Sequence, residues 1–172
     1  MISAKLQEAI NDQVAAEMYS ANMYLAMSLE CELKGFDGFA HWLKKQYGEE
    51  MDHAFKFMAY LLERGGAPEL KTIEAPAKEY GAPLLTFEKV LAHECQITSL
   101  INKLYQTAVD EKDVAAQIFL QWYVTEQVEE EAGVSAILDK LRFIGDNKGL
   151  LLNLDIELAT RVFVNPFPAA TA

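Results

Sequence analysis

Four stretches of this chain carry an apolar seam at helical spacing, and an acid or its amide interrupts each seam near its middle. The first reads Leu6, Ile10, Val14, Glu17, Ala21, Leu25, and the second Leu43, Tyr47, Glu50, Ala54, Phe57, Leu61. The third reads Phe87, Val90, Glu94, Ile97, Ile101, Leu104. The fourth reads Phe119, Tyr123, Gln127, Glu130, Val134, Ile137, Leu141. Residues recurring every three to four positions share one helix face, so these stripes belong in a common core. A core that takes a carboxylate from each of its helices has few ways to be stable. One unpaired buried carboxylate costs several kcal/mol, and gathering several adds mutual repulsion. Few basic residues share the seams, so a divalent or trivalent metal is the simplest source of compensating charge. His53 lies one turn after Glu50 on the same face. Carboxylates with one imidazole suit iron or manganese, and the lack of thiolates disfavours structural zinc.

The pattern repeats. Glu94, Gln127 and Glu130 lie 77 residues after Glu17, Glu50 and His53, so Glu…Glu-x-x-His in the first half returns as Glu…Gln-x-x-Glu in the second. A lone Glu-x-x-His arises often by chance in acidic helices. Repetition at one offset, with every member in an apolar seam, does not.

Breakers place the elements. Ser3 is a candidate N-cap and Gly35 a stop for a first helix over about 3–34, and the pair Gly65, Gly66 ends a second over 37–64. A loop over 65–85 holds Pro68, Pro76, Gly81 and Pro83, and helices over 86–111 and 113–144 follow. A shorter helix is expected over 149–162 and an irregular tail at 165–168. No stretch alternates with the period of a strand. The expectation is all-α: one domain over 1–172, an antiparallel four-helix bundle of two hairpins, one long crossover and a short fifth helix.

A formal net charge of −11 argues against nucleic acid and anionic membranes as partners. Cys31 and Cys95 are too few and too distant for a disulfide framework or a Cys-x-x-Cys knuckle, which predicts free thiols in a reducing compartment. Apolar runs such as Leu150, Leu151, Leu152 fall far short of the ~20 residues a membrane helix needs. With no apolar signal core at the start, the expected location is the cytoplasm.

Two stretches, Glu49-Glu50-Met51-Asp52-His53 and the run 121–131 containing Glu126, Gln127, Glu129 and Glu130, make the sequence similar to the bacterial non-haem ferritins over nearly its whole length. The resemblance implies a ferroxidase: Glu17, Glu50 and His53 hold one iron, while Glu94, Glu130 and the bridging Glu50 hold a second, with Gln127 hydrogen-bonding nearby. Glu49, Glu126, Glu129 and Glu130 match the third-iron site of that group. Tyr24, two turns after Glu17, matches the family's tyrosine beside the centre. Fe(II) is then oxidised by dioxygen or hydrogen peroxide, and Fe(III) is stored as hydrated oxide inside a homo-oligomeric shell of 24 subunits. Met51 matches a haem-ligand position of haem-containing relatives, but non-haem members carry Met there too, so haem is not expected. Trp122, Cys31, His41 and His93 are read as packing or surface residues. Rival readings are a di-iron peroxide reductase or bacterioferritin-type enzyme, disfavoured by the missing second Glu-x-x-His, and a metal-free helical interaction module, which leaves the repeated acids unexplained.

Overall fold

The computed structural model describes residues 1–162. They form five α-helices: α1 (Ala4–Leu33), α2 (Asp37–Glu63), α3 (Pro83–Asp110), α4 (Val114–Ile144) and α5 (Lys148–Leu158). No strand occurs among the described residues. Local chemistry sets the boundaries. Ser3 accepts the amide hydrogen of Leu6 at 3.2 Å and Asp113 that of Ala116 at 3.0 Å, each satisfying a donor that the first turn leaves unpaired. Gly35 ends α1 at a φ of +78°, a conformation that favours a residue without Cβ, and the Phe36 N–H closes back on the Cys31 carbonyl at 3.0 Å.

Two boundaries differ from expectation. The third helix starts at Pro83 rather than near Thr86, because proline suits a first helical turn where its missing N–H is no loss. The fifth ends at Leu158 rather than 162. Beyond it, the Arg161 carbonyl accepts from His41 Nε2 at 2.9 Å and is tied to α2 instead of continuing a helix. The tail expected at 165–168 lies outside the described residues.

The segment between α2 and α3 is strapped along α1. Near one end the Asn11 side chain donates to the Ala67 carbonyl (3.2 Å) and accepts from Glu69 N (3.0 Å). Near the other, the Glu30 carboxylate accepts from Tyr80 N (2.6 Å) and Gly81 N (3.3 Å). The helical rise between Asn11 and Glu30 is roughly 29 Å at 1.5 Å per residue. The strap therefore carries the chain from one end of the bundle to the other and sets α3 parallel to α2.

The core is in two pieces. One apolar cluster contains Met27, Phe39, Leu43, Phe87, Val90, Val134 and Leu138. The other contains Leu6, Ile10, Phe57, Leu61, Ile101, Leu104 and Leu120. Glu17, Glu50, His53, Glu94, Gln127 and Glu130 are all buried at the helical level between them. Within the seams, Leu25 and Tyr47 are only half-buried, and Tyr24 and Gln46 occupy the interior instead. A helix of 3.6 residues per turn mixes steps of three and four, and here the core takes the other step.

The fifth helix docks on α2 by backbone approach. A Cβ on Gly38 would lie 1.6 Å from the Asp155 carbonyl oxygen. The Asp155 carboxylate accepts from Phe39 N at 2.9 Å, capping α2 from another element where its own N-cap residue, Phe36, supplies no side-chain bond. Replacing Asp155 by Ala should cost about 1 kcal/mol, the worth of a cap. Gly38→Ala should cost about 1–3 kcal/mol through overpacking. Hydrogen exchange of the α5 amides checks both: they should lose protection ahead of the bundle, and more so in Gly38→Ala.

Candidate metal centre

Each main helix delivers its polar residues to the gap between the apolar clusters because the seam itself carries them there. Ligand atoms of Glu17 on α1 and of Glu50 and His53 on α2 all lie within 4.8 Å of one another, and all three residues are buried. His53 Nδ1 is 3.6 Å from Glu50 Oε2. The imidazole is held edge-on against Trp122 (5.3 Å between ring centroids) and Tyr123 (5.9 Å), while the Tyr123 hydroxyl donates to the His53 carbonyl at 2.9 Å. Trp122 touches this ring, and the Lys56 ammonium sits over the Trp122 face, 3.4 Å from its centroid.

On the opposite side stand Glu94 of α3 and Glu130 of α4. Tyr24 donates its hydroxyl to Glu94, so the tyrosine reaches across the bundle rather than along its own helix to Glu17. The Gln127 amide nitrogen lies 3.3 Å from the Glu94 carboxylate, 3.3 Å from its carbonyl and 3.2 Å from Thr98 Oγ1, and Thr98 passes the chain on to Glu131 at 2.5 Å. Glu130 accepts from Gln46 Nε2 at 2.8 Å. Glu17 accepts from Gln13 Nε2 at 2.9 Å through one oxygen, while its buried Oε2 has no hydrogen-bond partner among the described residues.

Outside this layer, Glu49, Glu126, Glu129 and Glu130 line an open cleft of about 330 Å³ with Trp42, Gly133 and Arg161. Glu130, exposed to 9%, belongs to both the buried layer and the cleft. Gln13, Gln46, Thr98 and Arg161 were not singled out by the sequence. The first two had a signal, each lying four residues before a seam glutamate. Of the residues read as bystanders, His93 is buried with Nε2 2.7 Å from Ser20 Oγ, Cys31 is buried, and His41 holds the end of the described chain.

Electrostatics follows burial. Desolvation, then the neighbouring carboxyls, holds Glu17 and Glu50 well above the ordinary carboxylate range. Burial also raises Glu94, Glu49 and Glu126. Glu130 is pushed up to about 8, by burial first and by Glu94 second. Burial and Glu94 keep the Tyr24 phenol protonated and able to donate. These groups share too little positive charge to ionise together. An oxygen-rich donor set with one imidazole and an unpartnered buried oxygen fits a hard or borderline cation such as iron or manganese.

A four-helix bundle with an end-to-end crossover and a carboxylate layer splitting its core defines the ferritin-like class. The ferritin-like domain family matches residues 7–144. The chain is 49% identical to the bacterial non-heme ferritin of Bacteroides fragilis over 146 residues, 85% of this chain and 92% of that one. It is 47% identical to a probable bacterial non-heme ferritin-like protein of Haemophilus influenzae, over 88% of this chain and 93% of that one. An engineered closed form of Archaeoglobus fulgidus ferritin superposes with a TM-score of 0.94 at 46% identity, covering 95% of this chain and all of that one. The chain belongs to the ferritin family.

The raised carboxyls give a signed pH dependence. Glu130 titrates near 4.5 when unfolded and near 8 when folded, so the folded chain keeps a proton that the unfolded chain releases. Its stabilisation is complete below about 4.5 and is lost as pH rises through about 8. Metal-free protein should therefore melt at falling temperature as pH rises across this window, and Glu17→Gln should raise the melting temperature at the alkaline end. Scanning calorimetry in chelator checks both, and a flat profile in the parent would contradict the assignment.

Proposed function

We propose that this chain, folded as a single ferritin-like domain over 1–172, is an iron-storage ferritin with a ferroxidase centre in the middle of its bundle. The observation that carries the reading is the buried convergence of Glu17, Glu50 and His53 within 4.8 Å. Iron is the substrate. Glu17, Glu50 and His53 hold one Fe(II); Glu94 and Glu130, with Glu50 as bridge, hold the second. Each ion gives one electron and dioxygen accepts two, leaving with two protons as hydrogen peroxide. Hard carboxylate oxygens favour Fe(III) over Fe(II), which lowers the barrier to electron loss. Protons displaced from the raised carboxyls leave as the metal enters.

The second position is the weaker one. Gln127 is neutral, and its amide nitrogen faces Glu94 instead of offering a second bridge. A loosely held product suits iron that must move on, and the cleft of Glu49, Glu126, Glu129 and Glu130 is the adjacent stop. Tyr24 orients Glu94 through its hydroxyl. The expected home of the product is a hydrated ferric oxide in a homo-oligomeric shell, 24 subunits by family resemblance, in the cytoplasm. Exposed apolar side chains support assembly, among them Leu33, Phe143, Leu152 and Ile156. No described helix is long and apolar enough to cross a membrane.

Anaerobic Fe(II) titration followed by oxygen tests the proposal. The parent should saturate at about two to three Fe(II) per chain and then retain many hundreds of iron atoms per particle on repeated cycles. A fixed pair per chain with no mineral would favour the peroxide-reductase reading. Glu17→Ala and His53→Ala should each weaken Fe(II) binding roughly 10- to 100-fold and slow oxygen uptake accordingly.

A further inference from the structure

The acidic cleft contains a cation of its own. Arg161, three residues beyond the end of α5, donates from Nη2 to Glu49 Oε2 at 2.7 Å. Its guanidinium lies over the Trp42 ring, 4.5 Å from the centroid, and Nη1 reaches the Trp42 carbonyl at 3.4 Å. Its own carbonyl is pinned by His41 at 2.9 Å. A side chain held by a carboxylate, an aromatic face and a carbonyl is placed, not wandering; its exposure is 25% and that of Glu49 is 13%. The charge it brings to Glu49, Glu126, Glu129 and Glu130 is of the kind that a bound metal would bring.

We infer that Arg161 is a built-in counter-ion of this cleft, which competes with a cation for Glu49 and is displaced when metal binds there. The inference rests on the cleft being a third metal site. A divalent ion on Glu49 and a guanidinium on the same carboxylate repel each other, so each weakens the other's hold and binding of one favours departure of the other. Release of Arg161 also removes its hold on Trp42, so occupancy of the cleft is coupled to the contact between Arg161 and α2. When the metal departs, the guanidinium returns and restores the charge balance. The cleft is thereby a transit position, weaker than the buried pair beside it, and it cannot trap the product it receives.

Calorimetric titration of assembled, metal-free protein with Zn(II), which does not change oxidation state, tests this. Arg161→Gln should tighten the weakest binding phase about tenfold and change the inner phases much less, since Arg161 pairs with Glu49 in the cleft and is only a minor influence on Glu130. Arg161→Lys, which keeps the charge, should stay near the parent. Glu126→Gln combined with Glu129→Gln should abolish that phase in every background. Equal affinity of the weak phase in parent and Arg161→Gln would overturn the counter-ion and leave the third site standing. A weak phase that is absent throughout, or indifferent to the paired glutamate changes, would overturn the site and the counter-ion with it. Should Arg161→Gln fail to assemble, emission from Trp42 in a Trp122→Phe background gives a second readout with Arg161 intact. It should shift as the weak phase fills, and a constant emission would overturn displacement.

Discussion

Everything in this bundle is arranged around charge that has been taken out of water. Four glutamates from four helices meet at one level, and the apolar core is split in two to make room for them. Neutral donors offset part of the cost: Gln13 to Glu17, Gln46 to Glu130, Tyr24 and Gln127 to Glu94. Hydrogen bonds of this kind stabilise a carboxylate but do not cancel its charge, and proton uptake does the rest. Protons therefore take the place that the proposed metal would fill, and the two apolar clusters flank the layer on both sides.

The internal repeat is a repeat of positions more than of chemistry. Glu17 and Glu94 are equivalent, but His53 corresponds to Glu130, and Glu50 to Gln127. In the proposed centre the first half supplies Glu50 and His53 as ligands, whereas in the second half Gln127 is a hydrogen-bonding group that leads outward through Thr98 and Glu131, and Glu130 opens onto the cleft. In the proposed function that asymmetry gives iron a direction of travel, from the firmly held side to the loosely held one. The proposed role of Arg161 extends the same gradient to the surface.

Periodicity made much of this legible in advance. Alternating steps of three and four marked Glu17, Glu50, Glu94 and Glu130 as interior, and all four are buried. Where a seam offered two adjacent candidates, the pattern chose wrongly, as with Leu25 against Tyr24 and Tyr47 against Gln46. Sequence spacing does not weigh size and hydrogen bonding, whereas the packed layer does: it needed a hydroxyl for Glu94 and an amide for Glu130. Arg161 gave no signal at all. It lies 112 residues from its partner Glu49, and a lone arginine after a short helix reads as ordinary surface.

The helices, the caps at Ser3 and Asp113, the antiparallel hairpins and the need for compensating charge follow from residue order, because each depends on residues within a few turns of one another. Which acids converge follows only from packing, because it depends on how far the strap runs along α1 and on the rotation of each helix about its axis. Packing also decided that Tyr24 serves the opposite half of the repeat, that Asp155 caps a helix not its own, and that a guanidinium stands in the acidic cleft. Each of these is a contact between groups far apart in the chain. Their meeting is fixed by packing, and no local pattern carries it.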